Sequence, residues 1–108
     1  MTQTFHFMTK AWNIDAAQAL LEKKPRKPRL VDISTAMNLI RTDQAYVDSI
    51  DLDRAAPIIV GTITIDGKEY WMPLDGWHRI RRAKDLGVKK LPAYVLTKKE
   101  TDQVEVRR

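Results

Sequence analysis

The sequence predicts a small α/β domain, a short mixed sheet with helices packed against it, and three observations carry that reading. The run Pro57-Ile58-Ile59-Val60-Gly61-Thr62-Ile63-Thr64-Ile65 is rich in β-branched residues, and Asp66-Gly67 is a dipeptide favoured in tight hairpin turns, so Lys68 to Leu74 is the returning strand. Gly76 then breaks the strand, and Ile80, Ala83 and Leu86 recur at helical spacing over Trp77 to Leu86 before Gly87 supplies a C-terminal stop. Leu91 to Leu96 follows as another apolar run of strand length.

The remaining elements follow in chain order. Thr4 to Met8 alternates and carries Phe5 and Phe7, which predicts a short first strand. Asn13 is placed to cap a helix whose apolar face is Ile14, Ala17, Leu20 and Leu21. Pro25 and Pro28 end that helix near Lys24, and the lysines before them suit its C-terminal end. The connector Lys23-Lys24-Pro25-Arg26-Lys27-Pro28-Arg29 has five basic residues and no acid, the composition of a solvated loop or of a contact to a phosphate backbone. Leu30 to Ile33 reads as a buried strand. Ser34 is placed to cap a helical segment through Ala36, Met37, Leu39 and Ile40, and Asp43 another through Tyr46, Val47 and Ile50. Lys98 to Arg108 is mostly charged and reads as a frayed tail or an edge strand through Val104 and Val106. The expected organisation is one domain over 1–97 followed by a charged tail over 98–108.

Composition narrows the function. A chain of 108 residues, 44% hydrophobic and 31% charged, matches one ordinary globular core, and no apolar run has the length of a membrane span. Met1 to Lys10 lacks the pattern of a secretory signal, so the expected compartment is the cytoplasm. With no cysteine there is no disulfide, thiolate nucleophile or cysteine-ligated zinc, and His6 and His78 stand in no metal-ligand spacing. No metal site is assigned. A net charge of +5 and a pI near 9.6 favour an anionic partner.

The informative stretch is Leu74-Asp75-Gly76-Trp77-His78-Arg79-Ile80-Arg81-Arg82-Ala83-Lys84, where a strand ends, a glycine turns the chain and a helix begins among cationic side chains. The first N–H groups of a helix have no intrahelical acceptor, the macrodipole adds positive charge there, and glycine lets a phosphate approach the backbone. Arg79 can add a forked contact to phosphate oxygens, and His78 can donate or accept a proton.

The order Pro57-Ile58-Ile59-Val60, a hairpin, Leu74-Asp75-Gly76-Trp77-His78-Arg79, a helix ending at Leu86-Gly87 and then Leu91-Pro92-Ala93-Tyr94-Val95 resembles the ParB/sulfiredoxin superfamily over about residues 57 to 96, and Leu30-Val31-Asp32-Ile33 extends the likeness backwards. In that superfamily a Gly-x-x-Arg turn at a helix start, Gly-Glu-Arg-Arg in partition proteins and Gly-Cys-His-Arg in sulfiredoxins, holds nucleotide phosphates. Gly76 and Arg79 match both forms and His78 the second. Trp77 replaces the reactive cysteine of one form and the glutamate of the other, which excludes sulfiredoxin chemistry and removes the acid of the partition-protein turn. The resemblance implies the nucleotide-binding module alone, without the helix-turn-helix and dimerisation regions of partition proteins.

The assignments that follow are phosphate binding by Gly76, Trp77, His78 and Arg79, with ATP, ADP or CTP as the nucleotide and Mg2+ beside it. His78 and Asp75 are the catalytic candidates, and Arg26, Lys27, Arg29 and Arg82 are the candidates for nucleic-acid contact. Acids considered for magnesium are Asp75, Asp66, Glu69 and Asp32, of which Asp75 directly precedes the turn. Tyr70, Trp71 and Tyr94 read as core aromatics, with stacking on a base as the alternative, and His6 reads as structural. Three functions stay open: a nucleotide-dependent phosphotransferase, triphosphatase or nuclease; a non-catalytic DNA-binding module for plasmid, phage or chromosome maintenance; and an adaptor that binds protein through a decayed anion site. The favoured reading is nucleotide or phosphate binding.

Overall fold

In the computed structural model, which describes residues 3–36 and 41–106, the chain opens on an antiparallel hairpin of β1 (Thr4–Phe7) and β2 (Lys10–Asn13). The sequence reading placed no strand at Lys10–Asn13, because four residues that abut a helix cap show no usable period. Helix α1 (Ile14–Lys23) starts where expected: the Asn13 side chain accepts from the Ala16 amide at 3.0 Å, and Ile14 and Ala17 are buried. Strand β3 (Arg29–Asp32) follows the basic connector, and α2 (Gln44–Asp48) is capped by Asp43 and ends before Ile50. Strands β4 (Ile58–Ile65) and β5 (Lys68–Asp75) form the predicted hairpin, with Asp66 and Gly67 both in the left-handed region at φ 51° and 78°. Helix α3 (Trp77–Asp85), strand β6 (Lys90–Val95) and helix α4 (Lys98–Gln103) complete the described chain.

The larger sheet has the order β3-β6-β4-β5, in which β4 and β6 run parallel and the other pairs antiparallel. The parallel pair is joined through β5 and α3, which carries the start of α3 to the sheet's end. This is the mixed α/β architecture the residue pattern predicts. Phe5 stacks between Trp12 and Trp77, with ring centroids 6.0 and 5.5 Å apart, so the N-terminal hairpin and the first turn of α3 share one core with Ile58, Val60, Ile80, Leu91 and Leu96. No helix among the described residues is long and apolar enough to cross a membrane.

Three expectations need correction. Leu30 is 70% exposed while Val31 and Ile33 are buried, because β3 is an edge strand with one face in water. The helix expected from Ser34 begins instead as a turn, in which the Asp32 carboxylate accepts from the Ser34 amide at 2.8 Å and its hydroxyl at 2.6 Å. The rest of that expectation, Met37, Leu39 and Ile40, lies outside the described residues.

The third correction concerns the charged tail. Lys98–Gln103 form α4, opened by a capping box in which Thr97 accepts from the Glu100 amide and Glu100 from the Thr97 amide. This helix was hidden because its buried face is polar. Thr101 accepts from the Thr62 amide at 2.9 Å and donates to the Thr97 carbonyl, and Thr62 donates to the Leu96 carbonyl at 2.9 Å. Arg26 makes a two-pronged pair with Glu100, 2.6 Å on each side, and this hydrogen bonding holds the Glu100 carboxyl down to about 2. Beyond α4 an edge pairing does form: Glu105 bridges to Trp12, and the Val106 amide donates to the Ala11 carbonyl at 2.7 Å.

Candidate anion site at the start of helix α3

Strand β5 ends at Asp75, and Gly76 turns the chain into α3 with φ 100° and ψ 21°. Two constraints require glycine there. An L side chain is disfavoured at that φ, and a Cβ would lie 2.3 Å from Ile58 Cγ2 on the neighbouring strand. The glycine thus lets the turn pack directly on buried Ile58. Side chains of Asn13, Asp43 and Thr97 cap α1, α2 and α4, whereas Gly76 leaves α3 with no side-chain cap. The leading amides of α3 thus combine helix-dipole charge with hydrogen-bonding capacity, and α3 is long enough, at nine residues, to develop that field.

An open cleft of about 640 Å³ stands at this helix start, lined by Tyr46, Arg54, Asp75, Gly76, His78 and Arg79 among others. The His78 ring sits edge-on to Tyr46 at 88°, with centroids 5.0 Å apart, so α2 orients it. Arg79 acts partly as a brace: Nη1 donates to the carbonyls of Ala56 at 2.7 Å and Pro57 at 3.3 Å, and Nη2 lies 3.6 Å from Asp75. Arg54 is 89% exposed and stands 3.7 Å from Asp51, which also lines the cleft. Each cleft acid therefore has an arginine beside it. The charge is balanced rather than strongly positive, and the donors with no hydrogen bond among the described residues are the leading α3 amides, His78, the Arg54 guanidinium and Nη2 of Arg79.

Of the residues nominated from sequence, Gly76, His78, Arg79 and Asp75 come together in this cleft. Trp77 does not line it: its side chain is 6% exposed and packed against Phe5, so only its backbone belongs to the turn. Arg26, Lys27, Arg29 and Arg82 also lie off the cleft. Arg26 is held by Glu100, Arg29 lies over Trp71 at 5.1 Å, Lys27 is exposed, and Arg82 donates to the Ile50 carbonyl at 3.1 Å. Asp66 sits in the hairpin turn, Glu69 on exposed β5 and Asp32 in the Ser34 turn, where hydrogen bonds from Ser34 lower its carboxyl's pKa.

Tyr70 and Trp71, read as core aromatics, are 48% and 47% exposed, because β5 is an edge strand. Tyr94 is half-buried, and His6 is exposed on β1 rather than packed inside. Sequence reasoning missed Tyr46, Asp51 and Arg54. No periodicity marks the segment after α2, and long-range contacts from α3, Arg79 to Ala56 and Pro57 and Arg82 to Ile50, bring it over the turn.

For Mg2+ the fit is partial. Among the described residues no three His, Asp or Glu side chains converge, so Asp51 and Asp75 are the protein's available oxygen ligands and phosphate and water would supply the rest. Compared with protein-family models, with curated proteins and with solved structures, the chain matches none.

Proposed function

We propose that this chain binds the phosphate groups of a nucleotide in the cleft at the start of α3. One observation carries the reading: an uncapped helix start behind a glycine that cannot bear a side chain, opening into a cleft of about 640 Å³. That volume falls within the ~300–1,000 Å³ usual for small-molecule sites and exceeds the need of a single phosphate. In this reading the α3 amides receive one phosphate, Arg54 and Nη2 of Arg79 take the next, and Nη1 of Arg79 keeps the Ala56–Pro57 backbone in place. The ligand class is ATP, ADP or CTP.

Asp51 and Asp75 oppose a bare polyanion, so the metal-bound nucleotide is the better fit. Where turnover follows, His78 and Asp75 are the groups in reach of a proton. The resemblance of Gly76, His78 and Arg79 to the ParB/sulfiredoxin turn supports the same ligand class.

Calorimetric titration with ATP, ADP, CTP and a short DNA duplex, with and without Mg2+, tests the proposal in wild type and Arg54→Ala. Arg54 is the right residue to remove because its exposed side chain supports no buried contact, whereas Arg79→Ala would also release the Ala56–Pro57 brace. The expected result is saturable nucleotide binding, stronger with Mg2+ and weakened about tenfold in Arg54→Ala, the loss typical of one charge-assisted contact. Salt-dependent duplex binding without nucleotide binding would favour the DNA module instead. Absence of binding to either ligand would favour the adaptor.

A further inference from the structure

The cleft at the start of α3 has two chemically different walls. One is the helix start itself, with Asp75, Gly76 and Arg79; the other is made by Tyr46 of α2 and Ile50 just beyond it. Helix α2 divides its side chains sharply: Val47 is fully buried, whereas Tyr46 is 57% exposed. The Tyr46 ring is nevertheless held in place. It meets the His78 ring at 88°, with centroids 5.0 Å apart, and a contact of this kind takes at most one face of the tyrosine. Because His78 is the second residue of α3, the ring stands beside the turn whose amides receive phosphate. The aromatics that the residue pattern offered for stacking on a base, Tyr70, Trp71 and Tyr94, all lie off this cleft.

We infer that Tyr46 is the platform on which the base of the nucleotide stacks, a role that rests on the phosphate reading given above. A phosphate on the α3 amides fills only part of the 640 Å³, and the space left is bounded by an aromatic ring and an aliphatic side chain rather than by further charge. A nucleotide has the same polarity, an anionic end and a flat apolar end. Stacking calls for a ring face that is open to the ligand yet already ordered, so that binding spends little entropy on fixing it. Tyr46 meets both conditions through its exposure and its contact with His78. A tyrosine that served only to orient His78 would need that contact alone. Every base has a π-face, so this platform adds affinity for ATP, ADP and CTP alike.

The test compares Mg2+-ATP with Mg2+-ribose 5-triphosphate, which carries the same sugar and triphosphate but no base, by calorimetry on the full chain. Wild type is expected to bind ATP about tenfold more tightly than ribose triphosphate. Tyr46→Ala should bring ATP down to the level of ribose triphosphate without weakening ribose triphosphate itself, and Tyr46→Phe, which returns the ring, should restore ATP binding. The side chain is exposed, so neither substitution threatens the fold. Equal binding of the two ligands by wild type would overturn the inference and leave the phosphate site standing. So would Tyr46→Ala that binds ATP like wild type, or that weakens both ligands equally, the mark of a residue acting only through His78. Binding of neither ligand by wild type would overturn the phosphate site and the inference with it.

Discussion

Gly76→Ala tests whether the turn at the head of α3 is as constrained as its geometry says. An alanine held at φ 100° costs about 1–2 kcal/mol in backbone strain. Its Cβ would stand 2.3 Å from Ile58 Cγ2 and 2.8 Å from Ile58 Cβ, and Ile58 is a β-branched residue, 1% exposed, with no room to swing aside. Overpacking of that kind costs about 1–3 kcal/mol, offset by about 0.4–1 kcal/mol from the stiffer unfolded chain. The sum is a loss of about 1–4.5 kcal/mol, or roughly 5–30 °C in Tm for a domain of this size. Gly87→Ala is the internal control, because Gly87 also has positive φ, 73°, but a Cβ there meets nothing within 4 Å. It should show the backbone strain alone. Urea unfolding followed by tryptophan fluorescence measures both. If Gly76→Ala proves no more costly than Gly87→Ala, the close approach of Ile58 to this turn does not exist and the site as described is wrong.

Other expected outcomes concern the polar seam that holds α4. The Glu100 carboxyl sits at about 2 in the folded protein against an ordinary 4.5, so its contribution is complete above about pH 4.5 and is lost as pH falls through 2. That contribution is on the order of 3 kcal/mol. Glu100→Gln should therefore be clearly destabilised at pH 7 and approach wild type toward pH 2; a difference independent of pH would refute the assignment. Thr101→Val keeps the shape but leaves the Thr62 amide without its acceptor, for an expected loss of about 1–3 kcal/mol in denaturant unfolding, and no loss would mean the bond is immaterial. Arg54→Ala should leave stability within about 0.5 kcal/mol of wild type, which thermal unfolding can check before its binding is compared.

The second half of the fold was legible in the residues because its signals are local. Asp66-Gly67 sets the hairpin, and Gly76 and Gly87 bracket α3, so β4, β5, α3 and β6 fall close to where their patterns put them. The first half was less legible. Strand β2 is too short to show a period, and β3 carries an exposed Leu30 that composition alone reads as core. Helix α4 reads as tail because the groups it buries are Glu100 and Thr101, whose partners Arg26 and Thr62 are distant in sequence. The same limit governs the site. Gly76, His78 and Arg79 lie within one turn and could be nominated together, whereas Tyr46 and Arg54 join them only through packing of α2 and the loop beyond it.

The most direct measurement is the amide shift of each residue in the 15N-labelled chain during titration with Mg2+-ATP and Mg2+-CTP. Saturable shifts concentrated at Gly76, Trp77, His78 and Arg79, with smaller ones at Arg54 and Tyr46 and none at Trp71, are the predicted result. Nucleotide-induced shifts centred anywhere else, or none at these amides at saturating nucleotide, would contradict the placing of a phosphate site at the start of α3.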